Sequence, residues 1–384
     1  MGLRARIESG RTMEGTDRVG SGGAEHQTRR YASVGFDRVV AALSGWLVGG
    51  FLLDVWAHHN LPSTLETFFT PWHGVLYSGF LAVAAFLVGS FVRGLVRGDT
   101  PREALPVGYG PSLVGVLIFM ASGVGDVAWH LLFGIEVDVE ALLSPSHLAL
   151  ILGAGLIVSG PLRSAWNRGG VGLPAVLSLG YAMLAVAFVT EVGSPFATPW
   201  AATGVQTVEP WAGVSSRTDP AATGQALGVV GILLQTAVLM GFVLPAVRRW
   251  GRALPFGSLT LLFAFAATTA LTHGQYRLVP VALAAGLLAD FLLRVLKPSE
   301  ERVGAMRTFA FSVPVGLYAL YFSALALTGG IWWTTELWAG SILVAGGVGV
   351  LMSYLALPST PLSGPRAERS FSAVNGYGPE EVSS

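Results

Sequence analysis

The sequence predicts an all-α, polytopic integral membrane protein with about ten transmembrane helices. Of its 384 residues, 52% are hydrophobic and only 12% are charged, whereas a soluble domain carries roughly 25% charged residues. Between Arg38 and Leu357, long apolar runs alternate with short polar breaks. A helix needs roughly 20 apolar residues to cross a bilayer, so each run is long enough to span the membrane.

Ten apolar segments meet this length requirement, and they define the predicted organisation of the chain. The segments are 38–57, 70–94, 108–133, 144–163, 173–195, 223–247, 254–273, 278–297, 308–328 and 331–357. The predicted parts are a disordered cytoplasmic tail (1–36), a duplicated four-helix metal-binding half (37–163), a six-helix membrane half (164–357) and a second disordered cytoplasmic tail (358–384).

The distribution of charge predicts the orientation in the membrane. If the N-terminus is cytoplasmic and ten spans follow, every Lys and Arg except Arg217 and Arg277 falls on the cytoplasmic side, as the positive-inside rule requires. We therefore expect both termini in the cytoplasm and a multi-pass protein of the cell membrane. The net charge of zero excludes a protein that binds nucleic acid through bulk charge, and the lipid bilayer is the expected partner.

The absence of cysteine restricts the available chemistry. With no Cys in the chain, disulfides, thiolate metal sites and a cysteine nucleophile are excluded. The sequence also contains no nucleotide-binding or serine-hydrolase motif of the common kinds. Any reactive site is therefore expected to use His and carboxylate groups, and no catalytic residue can be assigned.

Six of the seven histidines lie at the outer ends of predicted helices, and four of these belong to an internal repeat. The first copy contains Asp54, His58, Glu66, Pro71, His73 and Gly79, and the second contains Asp126, His130, Glu140, Pro145, His147 and Gly153. The spacings agree except for a two-residue insertion in the loop of the second copy. Each copy covers a helix, a loop and the start of the next helix, so the repeat unit is a helix hairpin.

The spacing within each copy predicts a shared pocket. Asp and His four residues apart lie on one face of a helix, one turn from each other. The following Pro is placed for the first turn of the next helix, which brings the second His close by. Packing at the membrane interface is the ordinary explanation for a single His of this kind, but two matching copies favour metal binding, with the ligands Asp54, His58, His73, Asp126, His130 and His147.

The predicted ligands are compatible with more than one metal. Two imidazoles and a carboxylate without thiolate suit copper, zinc or iron. Further candidates for supporting the metal or relaying protons are Glu66, Glu140, Glu191, His273 and Asp290. Ionisable groups in membrane segments are costly and usually functional, although Asp290 could instead pair with Arg294. His59 points about 100° away from His58 on a helix and is a weaker candidate.

The two copies resemble motifs of a known family. The segment Asp126-Val-Ala-Trp-His130 with Ser144-Pro-Ser-His147 is similar to the Asp-x-x-Trp-His and Thr-Pro-Ser-His motif in the C subunit of copper membrane monooxygenases, the particulate methane and ammonia monooxygenases. The segment Glu66-Thr-Phe-Phe-Thr-Pro71-Trp-His73-Gly74 resembles a second motif of that subunit. The resemblance covers roughly residues 50–155 and implies copper ligands within both copies and work beside other subunits.

These observations lead to one expected function and two alternatives. The expected function is that of a copper-binding component of a monooxygenase that oxidises a small apolar substrate, with its metal sites on the extracytoplasmic side. Its partners would be monooxygenase-like subunits or further copies of the chain. The alternatives are a transition-metal transporter or chaperone and a zinc-dependent membrane hydrolase.

Overall fold

The fold is a bundle of long apolar helices. A computed structural model describes residues 30–61, 70–134, 143–205 and 220–357. In these ranges the regular structure is helical, and the one isolated bridge joins Ala202 to Ile331. The helices are α1 (Val34–Asn60), α2 (Pro71–Val96), α3 (Gly110–Phe133), α4 (Pro145–Val158), α5 (Gly160–Arg168), α6 (Leu173–Val189), α7 (Pro220–Trp250), α8 (Ser258–Thr272), α9 (Val279–Leu296), α10 (Val303–Thr328) and α11 (Thr335–Ala356).

Eight helical stretches in the described residues are long and apolar enough to cross a membrane, which identifies a multi-pass membrane protein. One of them, Pro145–Arg168, comprises α4 and α5 together. The other two predicted spans correspond to the shorter apolar helices α6 and α8, of 17 and 15 residues. The helical class is therefore confirmed, while the count of ten spans stays a prediction for these two helices.

Several predicted helix ends are wrong, and local hydrogen bonding explains the differences. The segment predicted at 144–163 is divided at Ser159, because Pro161 stands in the first turn of the new helix α5 and has no N–H to continue the α4 ladder. The segment predicted at 173–195 ends its α-helix at Val189 and continues as a 3₁₀ turn over Glu191–Gly193. In contrast, α1 begins earlier than predicted, because Ser33 accepts a hydrogen bond from the Phe36 N–H.

Buried apolar side chains form two clusters. One is built mainly from α1 to α4, and the other from α6 to α11. Helix α6 belongs to both, and its Tyr181 packs edge-to-face on Phe265 of α8 with ring centroids 5.2 Å apart. Other large apolar side chains on several helices are exposed, as expected for contact with lipid; examples are Leu81, Leu117, Val124, Phe291, Leu327 and Leu351.

Within the first cluster, α1 packs along α2 and α3 packs along α4. Glycine permits both close crossings. A methyl group on Gly79 of α2 would lie 2.6 Å from the backbone nitrogen of Leu47, and one on Gly153 of α4 would lie 2.8 Å from that of Phe119. The two glycines of the sequence repeat thus make equivalent contacts, and the two hairpins cross in the same way.

The end of α1 opposite its histidines is fixed by an ion pair between the buried Asp37 and Arg168. Asp37 accepts hydrogen bonds from the Tyr109 hydroxyl at 2.7 Å and from an Arg168 nitrogen at 2.9 Å. Its oxygens are therefore satisfied within the protein. This network joins the start of α1 to α5 and to the residue before α3.

Candidate metal centres

The first cluster joins the end of α1 to the start of α2. Asp54 and His58 lie one turn apart on α1, and His73 is in the first turn of α2. Oδ1 of Asp54 lies 3.2 Å from Nε2 of His73 and 3.8 Å from Nε2 of His58. The two imidazole centroids are 5.9 Å apart. Three potential ligand atoms therefore converge, as the spacing predicted.

The second cluster repeats this arrangement at the end of α3 and the start of α4. The Nε2 atoms of His130 and His147 each lie 3.5 Å from an oxygen of Asp126. The imidazole centroids are 5.8 Å apart, and the planes of the two rings are inclined by 56°, against 57° in the first cluster. The two hairpins thus hold the same three side chains in closely matching positions.

A capping hydroxyl orients the second His of each cluster. Thr70 caps α2, and its Oγ1 lies 3.0 Å from Nδ1 of His73. Ser144 caps α4, and its Oγ lies 2.9 Å from Nδ1 of His147. When Nδ1–H donates to the hydroxyl, the Nε2 lone pair faces the Asp. Metal-bound His is usually oriented by such a bond from its other ring nitrogen.

The buried carboxylates fit a metal ion. Oδ1 of Asp54 and Oδ1 of Asp126 are buried and accept no hydrogen bond from the described residues. A buried charged group without a hydrogen bond costs more than the roughly 1–3 kcal/mol of a neutral one. A cation held between each oxygen and the two imidazoles would remove that cost, and neutral nitrogen with carboxylate oxygen suits Cu(II), Zn(II) or Fe(II).

The two clusters are close enough to influence each other. The Asp54 carboxyl group lies within electrostatic range of His147 and Asp126 of the second cluster. Tyr77 of α2 lies within electrostatic range of the carboxylates of both Asp54 and Asp126. Its ring centroid is 6.4 Å from that of the His73 imidazole. Since α2 packs against α3, the hairpins stand side by side with their clusters at the same end of the bundle.

A third group of the same composition lies beside the first cluster. One ligand atom each from His59, Glu191 and His273 lies within 4.8 Å of the others. The sequence indicates Glu191 and His273 separately as candidates and does not connect them to His59. The 100° turn between His58 and His59 was the available signal, because it directs His59 toward other helices.

The remaining predicted residues lie elsewhere. Asp290 is fully buried, but its carboxylate accepts hydrogen bonds from the backbone N–H groups of Leu259 and Thr260 and from the Thr260 hydroxyl. It therefore caps α8 and does not join a cluster. Arg294, the alternative partner, instead donates to backbone carbonyls of the segment before α8. Glu66 and Glu140 lie outside the described residues.

Comparisons of the chain with protein-family models, with curated proteins and with solved structures find no match. The chemistry and geometry of the clusters are therefore the basis for assigning a function.

Proposed function

We propose that this chain is a copper-binding membrane protein and a component of a monooxygenase that oxidises a small apolar substrate. The observation that carries the proposal is the pair of matching His₂–Asp clusters, each with a buried carboxylate oxygen that accepts no hydrogen bond from the described residues. The motif resemblance around Asp126 and His147 supports copper as the metal. On the positive-inside argument, the clusters face the extracytoplasmic side.

The residues of each hairpin would have separate tasks. His58 and His73, or His130 and His147, would supply neutral nitrogen ligands through Nε2. Asp54 or Asp126 would supply the negative charge that offsets a cation in a site of low dielectric constant. Bound copper would supply electron transfer and dioxygen chemistry, while the protein fixes the ligands and excludes water.

The positions of the histidines favour the monooxygenase function over metal transport. A transporter needs ligands that continue through the membrane, but the six histidines of the described residues all belong to clusters at one end of the bundle. The buried carboxylates Asp37 and Asp290 are already satisfied by hydrogen bonds. A pathway of free ligands is therefore not formed by the described part of the chain.

Metal content of the purified, full-length protein tests the proposal. After copper loading in detergent, we expect elemental analysis to find copper, and electron paramagnetic resonance to show Cu(II) coupled to imidazole nitrogen. Asp126→Asn and His147→Ala should each lower the copper content by one ion per chain. His26→Ala removes the histidine that lies outside the described residues and serves as the matched control, with unchanged copper.

Two results would contradict the proposal in different ways. Protein that takes up no copper would exclude both hairpin sites, and protein that loses no copper in either variant would exclude the second one. Zinc in place of copper in protein from cells supplied with both metals would favour the hydrolase alternative. The oxygenase part predicts that membranes containing the wild type, when supplied with O₂ and a two-electron donor, convert small alkanes to alcohols and water, and that Asp126→Asn loses this activity.

A further inference from the structure

The side chains of His59, Glu191 and His273 come together from three separate helices. His59 lies at the end of α1, Glu191 follows α6, and His273 caps the C-terminus of α8. The ring centroids of the two histidines are only 4.0 Å apart. Glu191 is buried with 5% of its surface exposed, whereas His273 is half-buried and His59 is exposed, so the site combines one buried carboxylate with two more accessible imidazoles.

The hydrogen bonds of the two histidines fix which nitrogen is available. Nδ1 of His59 lies 2.8 Å from the Val55 carbonyl oxygen, and Nδ1 of His273 lies 3.0 Å from that of Thr269. A carbonyl oxygen can only accept, so each Nδ1 must carry the proton. In the neutral imidazole, Nε2 then has a lone pair. Both rings thus have the tautomer and the backbone anchor that metal-bound histidines commonly show.

The surrounding helices hold this cluster in place. The Asn60 side chain donates to the Thr272 carbonyl oxygen at 2.8 Å, which joins the ends of α1 and α8. Gln235 of α7 donates to the Thr190 carbonyl oxygen at 2.9 Å, next to Glu191. Gly231 of α7 allows the Glu191–Gly193 turn to pack against that helix, because a methyl group there would collide with the Gly193 carbonyl. The three ligands are therefore positioned before any metal binds.

We propose that His59, Glu191 and His273 form a third metal site, which binds a divalent first-row transition ion such as Zn(II). Two neutral nitrogens and one carboxylate are the ligands of many such sites. The ion would connect α1 to α6 and α8, and thereby the duplicated hairpins to the second half of the chain. Because His58 and His59 are consecutive, this site adjoins the first hairpin cluster without sharing a ligand with it.

The test uses Co(II) as a spectroscopic probe in a background without intact hairpin sites. The full-length variant His73→Ala/His147→Ala lacks one ligand of each hairpin cluster. After removal of metal and titration with Co(II), we expect one tightly bound ion per chain and visible Co(II) absorption. Adding His273→Ala or Glu191→Gln should abolish both. Glu336→Gln, which changes an exposed carboxylate of α11, is the matched control and should leave both unchanged.

A second measurement guards against misfolding. Co(II) should raise the Tm of the background variant, because a ligand that binds the folded state stabilises it, and Glu191→Gln should remove this rise while keeping a helical circular dichroism spectrum. Three bound ions in the wild type and one in the background variant would support all three sites. Wild type with two and background with none overturns the third site alone, whereas one ion in both proteins overturns the hairpin sites alone.

Discussion

At the scale of single residues, a capping hydroxyl holds the second His of each hairpin cluster. Thr70 and Ser144 occupy the same position, and each satisfies a backbone N–H of the first helical turn as well as Nδ1 of the second His. A single hydroxyl therefore supports both the helix start and the orientation of the second His. Removing it should weaken metal binding without removing any ligand atom.

Ser144→Ala is expected to lower the affinity of the second cluster for copper about 10- to 100-fold, since groups that orient a metal-bound His commonly contribute this much. Loss of the cap should also cost about 1 kcal/mol of stability. Competition with a chelator of known affinity measures the first effect, and thermal unfolding without metal measures the second. Ser144→Thr keeps the hydroxyl and is the control; equal affinity for the Ala and Thr variants would contradict the orienting role.

The sequence predicts some of the side-chain contacts in these clusters and not others. The pairs Asp54 with His58 and Asp126 with His130 follow from helical periodicity, because both members lie on one helix. The third cluster could not be predicted in this way. His59, Glu191 and His273 are far apart in the sequence, and their proximity depends on how α1, α6 and α8 pack.

At the scale of helices and hairpins, apolar runs located the membrane-crossing segments, but polar contacts determined where the helices end. Helix α7 continues through Arg248 and Arg249 to Trp250, beyond the apolar run that predicted it. Helix α5 contains Arg163 and Arg168, and the Arg163 side chain binds the Gly108 carbonyl. Such contacts join distant parts of the chain, so they leave no signal in local hydropathy.

The close crossing of α1 and α2 sets the spacing of the first cluster. Gly79→Ala should force these helices apart, because the added methyl would lie 2.6 Å from the Leu47 nitrogen. We expect a stability loss of about 1–3 kcal/mol, the usual cost of overpacking, and reduced copper content at the first cluster only. Thermal unfolding and elemental analysis measure these effects.

Gly89→Ala in the same helix is the matched control for this crossing. A methyl group there meets no atom within 4 Å, and Ala favours helix formation over Gly. Stability and copper content should therefore be unchanged or slightly higher. If Gly79→Ala behaved like Gly89→Ala, the crossing would not determine the geometry of the cluster.

At the scale of the whole molecule, the clusters gather at one end of the bundle, and the arginines of the described residues, apart from Arg277, lie toward the other. The positive-inside rule predicts that the arginine-rich end faces the cytoplasm. The proposed metal ligands would then meet ions from outside the cytoplasm. The absence of cysteine makes this orientation measurable, since a single introduced thiol has no competitor in the chain.

Labelling of single-cysteine variants in intact cells should reveal the orientation. Tyr276 is exposed between α8 and α9, at the end that holds the clusters, and Arg102 is exposed between α2 and α3, at the opposite end. A membrane-impermeant maleimide should label Tyr276→Cys in intact cells, whereas Arg102→Cys should react only after the membrane is permeabilised. Because the two residues lie at opposite ends of the helices, only one of the two variants should be labelled in intact cells. The reverse pattern would place the clusters at the cytoplasmic side. It would contradict both the predicted orientation and the prediction that the metal comes from outside the cytoplasm.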